Sequence, residues 1–312
     1  MSRKLNEKQR LFAHVEVPEG VGQSKNEAAK PCALCGGRAV KRLYMQAHFP
    51  VVCCRGCGLI YADEHFKDED LRAFYTGDYY QRAYVCHPKE IDAKISASYV
   101  DAFRRIDQRQ PEGGRVLDFG SARGTFLEAL AESPLGRRWR GDGIDINPDE
   151  VAMGVEKGIP VRVADIFTDE IPAESYDAVT AFSVLEHMQD PMATLRALRR
   201  VLKPGGHLLL IVPNGRCLIV GLGRLAAALF GERARGFSDN VFHEEHLYYF
   251  DPRTMPRSLI ETGYEPLEHG FAPSYLETHP PGLLVGIGAT LLRGLSWVTR
   301  RQTMLVAVGR KL

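Results

Sequence analysis

Three things are scarce in this chain of 312 residues. The first is an excess of charge of either sign: 40 Lys and Arg face 39 Asp and Glu, for a formal net charge of +1. Such balance gives no electrostatic footprint for nucleic acid, though it leaves room for a local basic patch. The second is a long apolar run. None reaches the roughly 18 to 20 residues that span a bilayer. The run at 217–222 is broken by Gly223 and Arg224, and the one at 282–292 stops at Arg293. The third is a secretory leader. Residues 1–30 are polar and charged, without an apolar core, and predict a disordered arm. In that context seven cysteines read as thiols in a reducing cytoplasm rather than as a disulfide framework.

Five of the seven cysteines lie close together. Cys32-x-x-Cys35, followed by Gly36-Gly37, is separated by the eighteen residues 36–53 from Cys54-x-x-Cys57-Gly58. Two such knuckles at this separation have the spacing of a zinc site. Four thiolates from Cys32, Cys35, Cys54 and Cys57 close a tetrahedral shell with no open position, so the expected metal is structural. Cys53 is the spare. Residues 31–63 are therefore expected to form a small zinc ribbon. Residues 64–113 read as a helical connector, in which Tyr79, Tyr80 and Tyr84 are either a lid or packing between domains.

From residue 114 onward, strand and helix patterns alternate. Val116 to Phe119 reads as a buried strand, Gly120 to Gly124 as a tight turn, and Thr125 as the start of a helix whose first amides favour negative charge. The dinucleotide fingerprint G-x-G-x-x-G is not met, because Ala122 and Thr125 stand where two of its glycines belong. Further strands are expected at 143–146, 161–165, 176–183 and 207–212, with two more near 264–270 and 304–308. Asp145 closes the second strand, where a carboxylate can accept both ribose hydroxyls. Asp165 closes the third. The alternation predicts an α/β fold, a mostly parallel sheet with helices on both faces.

Asp118-x-Gly120-x-Ala122-x-Gly124 resembles the first motif of class I S-adenosylmethionine-dependent methyltransferases, D/E-x-G-x-G-x-G, with Ala122 in place of the middle glycine. Val184-Leu185-Glu186-His187, Asp190-Pro191, Leu202-Lys203-Pro204-Gly205-Gly206 and Pro213-Asn214 are similar to the later motifs, in the same order. The resemblance covers about 115–311. It implies a Rossmann-like seven-stranded domain over 114–312, with insertions at about 214–240 and 280–301, and S-adenosylmethionine as cofactor. By that resemblance Asp118, Gly120, Ser121 and Gly124 cradle the methionine end, Asp145 and its neighbour Ile146 the ribose, and Asp165 with Ile166 the adenine. Phe182 and Ser183 form the floor under the sulfonium. A zinc module ahead of such a domain is similar to a bacterial group that modifies small molecules, sugars and surface-polymer precursors.

Methyl transfer from a sulfonium is an in-line displacement, so positioning supplies much of the rate. A hydroxyl acceptor also calls for a base near neutral pKa, which makes His187, His243 and His246 the candidates. Glu186-His187 with one of the later histidines is similar to the Glu-x-x-Glu-His metal set of some RNA-end methyltransferases, but Ser183 occupies the first position and one ligand is missing. Both insertions combine apolar residues with arginines: Leu218, Leu222 and Leu225 with Arg216 and Arg224, then Leu291, Leu295 and Trp297 with Arg293, Arg300 and Arg301. Such stretches lie on a membrane face, cover a substrate or pack on the domain. The reading that follows is methyl transfer to a hydroxyl of a small molecule, sugar or lipid-linked glycan precursor, by a cytoplasmic protein with peripheral contact at the inner membrane face. Two alternatives stay open. One is an RNA methyltransferase gripping substrate through its zinc module. The other is a non-catalytic binding protein, kept in view by the bulk of Arg123 beside the turn.

Overall fold

A computed structural model of the chain describes residues 30–45, 49–64, 89–230, 246–272 and 294–312. The expected N-terminal arm, Tyr79, Tyr80, Tyr84, His243 and most of the 280–301 insertion lie outside these residues.

The chain opens with strands β1 (Val40–Met45), β2 (Pro50–Cys54) and β3 (Ile60–Ala62), paired antiparallel in sequence order. Helix α1 (Lys89–Asp107) precedes the larger sheet. The α/β alternation then runs β4 (Gly114–Phe119), α2 (Thr125–Glu132), β5 (Trp139–Asp145), α3 (Pro148–Glu156), β6 (Val161–Val163), β7 (Tyr176–Phe182), α4 (Pro191–Val201) and β8 (Leu202–Pro213). Helix α5 (Leu218–Phe230), β9 (Tyr248–Tyr249), α6 (Thr254–Glu261), β10 (Tyr264–Ala272) and β11 (Met304–Lys311) complete it.

Seven strands form one sheet in the order β10-β11-β8-β7-β4-β5-β6. Strands β4 to β8 pair in parallel, and β11 runs antiparallel between β8 and β10. The chain winds outward from β4 through β5 to β6, then returns to build the other half from β7. The crevice for a ligand in such a sheet lies beyond the carboxyl ends of the strands where the winding reverses, here β4 and β7. Strands buried on both faces account for the runs Val179–Phe182 and Leu208–Val212, which are apolar apart from Thr180.

Two helix starts follow from local chemistry. Asn147 accepts from the amides of Asp149 and Glu150, and Asp190 from that of Ala193, each followed by proline in the first helical turn. The predicted break at Pro204-Gly205-Gly206 is an excursion inside β8: Leu202 pairs with Tyr176, and His207 resumes opposite Ala178. Lys203 spans it, its ammonium 2.8 Å from Asp177.

Two apolar cores flank the sheet. In one, Phe103 and Ile106 of α1 are fully buried with Phe126, Leu130 and Trp139. Helix α1, within the stretch read as a connector, thus packs on α2 and the sheet. The other core is continuous from Val51 and Tyr61 of the cysteine-bearing sheet to Leu195, Leu210 and Phe250. The small sheet itself continues into the larger domain, because β9 adds to β3 as its fourth strand.

Candidate functional site

The turn after β4 is shaped by three left-handed residues. Gly120 has φ +71°, Ala122 +46° and Gly124 +78°. A Cβ on Gly120 would lie 2.4 Å from Val184, and one on Gly124 would lie 2.6 Å from Ile159, so glycine is required at both places. Ala122 is the position that tolerates a side chain. The amides of Gly120 and Ser121 donate to the Ile144 carbonyl, and that of Ala122 donates to Asp145 Oδ2 at 2.8 Å. Asp145 Oδ1 takes the Asn147 amide, also at 2.8 Å. This carboxylate therefore locks the turn to the end of β5 and keeps further lone pairs for a ligand.

Asp118 is buried beneath the turn. Burial lifts its pKa to about 7, against the Thr180 hydroxyl that donates to it at 2.7 Å, and the charge of Asp145 adds to the rise. Burial raises Asp145 too, opposed by its backbone donors. The Ser121 hydroxyl is buried beside them with no hydrogen-bond partner among the described residues. A buried orphan hydroxyl, a turn that admits no Cβ at Gly120 or Gly124 and two carboxylates suit a ligand with a cationic end and ribose hydroxyls.

A cavity of about 810 Å³ opens over this turn. It is lined by Asp118, Gly120, Ser121, Asp145, Ile146, Asp165, Ile166, Phe182 and Ser183. Gly124 does not line it; its role is to turn the chain into α2. Sequence reasoning missed Ile95 and Tyr99, which reach the cavity from α1. Their spacing of four residues puts them on one helix face, a signal present in the sequence but not directed at any partner. Tyr99 stacks on Phe182 with ring centroids 4.3 Å apart and planes at 10°. Burial raises its pKa to about 12, against a hydrogen bond with Ser183. Ser183 is itself left-handed, φ +54°, a conformation costly for a side chain and concentrated at functional sites.

Two of the three candidate histidines meet in the same cavity. His187 ends the one-turn helix Leu185–His187 after β7, and His246 immediately precedes Leu247 and β9. Their ring centroids are 4.9 Å apart, nearly edge to face. Nε2 of His187 lies 4.0 Å from the wholly buried Glu186 carboxylate. One ligand atom each from Glu186, His187 and His246 falls within 4.8 Å of the others.

Away from the cavity, the sulfurs of Cys32, Cys35, Cys54 and Cys57 also lie within 4.8 Å of one another, with Cys32–Cys57 and Cys35–Cys54 both at 3.5 Å. Zinc–sulfur bonds of about 2.3 Å in a tetrahedron need sulfurs about 3.8 Å apart, so the set fits zinc. Burial raises Cys32 to about 11 and Cys57 further; Cys54 is also pushed up by burial, but the amides of Cys57 and Gly56 bring it down to about 7. Cys53 points away, to the Cys54 and Gly58 carbonyls.

The winding order, the reversed strand and the acid-bounded cradle define a class I S-adenosylmethionine-dependent methyltransferase. A family model described as a methyltransferase domain matches residues 91–269, more than half of the sequence, and the chain belongs to that family. Among curated relatives, a ubiquinone biosynthesis O-methyltransferase of Xanthomonas axonopodis pv. citri is 38% identical over 112 residues, covering 34% of this chain and 45% of the relative. A protein of the same description from Pseudomonas aeruginosa is 33% identical over 117 residues, covering 35% and 49%. The chain thus spans just under half the length of these relatives. In fold it is similar to the PH0226 protein of Pyrococcus horikoshii, at TM-score 0.51 and 14% identity over 76% of this chain and 100% of that one.

Proposed function

We propose that the chain transfers a methyl group from S-adenosylmethionine to a hydroxyl oxygen of a small molecule, a sugar or a lipid-linked glycan precursor. The observation that carries this reading is the pairing of His187 with His246 in the cavity that the glycine cradle also lines. The O-methyltransferase description of the relatives supports an oxygen acceptor.

The cofactor supplies an electrophilic methyl. The Ser121 hydroxyl and the turn at Gly120 would hold its amino-acid end, with Asp118 as the buried counter-charge. Asp145, beside Ile146, accepts from the ribose hydroxyls, and Asp165 and Ile166 border the adenine. Phe182, braced by Tyr99, and Ser183 form the floor that aims the methyl. One imidazole of the His187–His246 pair takes the acceptor's proton, and the other steadies the acceptor, with the Glu186 carboxylate 4.0 Å from His187 Nε2. Cys32, Cys35, Cys54 and Cys57 hold a structural zinc.

The two insertions meet where the Leu218 amide donates to the Arg301 carbonyl. Leu225, Leu229, Trp297 and Val298 are exposed. This supports an acceptor taken from a membrane face; no helix among the described residues is long and apolar enough to cross one. The function is tested by methyl transfer from labelled cofactor to a panel of hydroxylated acceptors. His187→Ala and His246→Ala are each expected to lower turnover by about 10²- to 10⁴-fold, with cofactor affinity kept within about twofold. Unchanged turnover in both variants would remove the base role.

A further inference from the structure

We propose that the cysteine ribbon belongs to the acceptor side of the site: its strand β3 is the template that holds His246 beside His187. The proposal rests on the reading of these histidines as the groups that meet the acceptor.

No ribbon residue is among those that line the cavity, so the ribbon acts through another segment. That segment is 246–250. Strand β9 is two residues long, far too short to persist alone. Its strand partner is β3, with Tyr249 opposite Ile60 and Tyr248 opposite Tyr61. Leu247, next to His246, is clasped from both sides. Its carbonyl accepts the Ala62 amide of the ribbon at 2.9 Å, and its amide donates at 2.8 Å to the carbonyl of Glu186, in the turn that carries His187. The Tyr248 hydroxyl adds a bond to the Gln189 carbonyl at 3.0 Å, while its ring stacks on Tyr61 at 6.1 Å. The Lys30 ammonium sits 5.4 Å and 5.1 Å from the centroids of these two rings and closes the stack.

Strand β3 depends in turn on the cysteine knuckle. The Cys54 amide donates to the Leu59 carbonyl, the Gly58 amide donates to the Cys54 carbonyl, and Ile60 pairs with Cys53. The ribbon shares its core with the larger domain, and a metal on its four thiolates adds to the order of the knuckle from which β3 leaves. Metal occupancy thereby steadies β3, and β3 holds the 247–249 part of the segment next to His246, while Phe250 is held from Asn214 and Gly215. The cradle after β4 is bonded instead to β5, through Ile144 and Asp145. Loss of the template is therefore expected to separate acceptor turnover from cofactor binding. Tyr61 and Tyr248 are positioning residues in this scheme.

The test uses the full chain with its metal, the same chain stripped by a thiol-reactive mercurial and chelator, and Ala62→Pro. That substitution leaves all four cysteines and deletes the amide that donates to Leu247. Tyr61→Leu, which removes the ring stack together with the Lys30 contacts to that ring and its hydroxyl but keeps the Ala62 amide, is the second variant should the proline variant not fold. Zinc content, S-adenosylhomocysteine affinity, hydrogen exchange across 247–249 and turnover are measured together. The variant is expected to keep about one zinc and homocysteine-nucleoside affinity within about twofold, with exchange at 247–249 faster by about tenfold or more. Its kcat is expected to fall by about tenfold or more at unchanged KM for the cofactor, as displaced catalytic groups require. Unchanged exchange at 247–249 in both stripped and variant protein overturns the proposal. So does cofactor affinity lost in step with turnover, which would make the ribbon a general stabiliser. If no acceptor is ever methylated, the exchange measurement still decides this proposal on its own.

Discussion

Asp118→Asn is expected to make the ligand-free protein more stable at pH 8 and a poorer cofactor binder. Asp118 is wholly buried, takes one hydrogen bond from Thr180 and is held at about 7 by burial, with Asp145 adding to the effect. Each factor of ten in proton affinity counts about 1.36 kcal/mol, so the rise from 3.8 to about 7 corresponds to about 4 kcal/mol. Below pH 3.8 both folded and unfolded chains hold the proton and nothing is lost. Between there and about 7 the folded state keeps a proton that the unfolded chain has released, so stability falls as pH rises, and it levels off above that window. Asp145 is raised as well and contributes in the same direction. The difference between variant and wild type therefore isolates Asp118. Thermal unfolding of both ligand-free proteins from pH 4 to 8.5 gives the curves. Their gap should open as the pH rises from 4 to about 7 and then hold at several degrees, by the usual scaling of melting temperature with free energy. In the same variant S-adenosylmethionine affinity should fall about tenfold or more, because a buried charge partner for its cationic end is gone. Parallel pH curves for the two proteins, or a variant less stable than wild type at pH 8, would refute the reasoning.

Two further outcomes are expected. Gly120→Ala places a methyl 2.4 Å from Val184 at a φ of +71°, whereas Gly205→Ala, at +75°, meets nothing within 4 Å. Both take on about 1–2 kcal/mol of left-handed strain, but only the first should cost cofactor affinity, by about tenfold or more in calorimetry. Wild-type protein should co-sediment with anionic vesicles at low salt and lose that binding on Trp297→Glu, since the Trp297 side is 71% exposed beside Arg300 and Arg301; retention of binding in the variant would place the contact elsewhere.

What could be read from the sequence was local. The turn at Gly120–Gly124, the acids that end β5 and follow β6, and the starts of α3 and α4 at Asn147-Pro148 and Asp190-Pro191 each rest on residues within one turn or strand end of each other. The four cysteines announced their geometry by spacing alone. What stayed hidden depended on distant partners. Ile95 and Tyr99 share a helix face, but only the packing of α1 on the sheet turns that face to the cavity. Strand β9 is shorter than any periodicity can reveal, and its partner β3 lies in the opposite part of the chain. The division of the sequence into a ribbon and a transferase domain therefore concealed that the two share one core and one small sheet.

The most direct measurement is a calorimetric titration of the purified chain with S-adenosylmethionine and S-adenosylhomocysteine. A ligand cradle formed by Gly120–Gly124, Asp118 and Asp145 predicts a single site per chain that is saturated at micromolar to submillimolar ligand. Absence of heat at millimolar concentrations of both would contradict it.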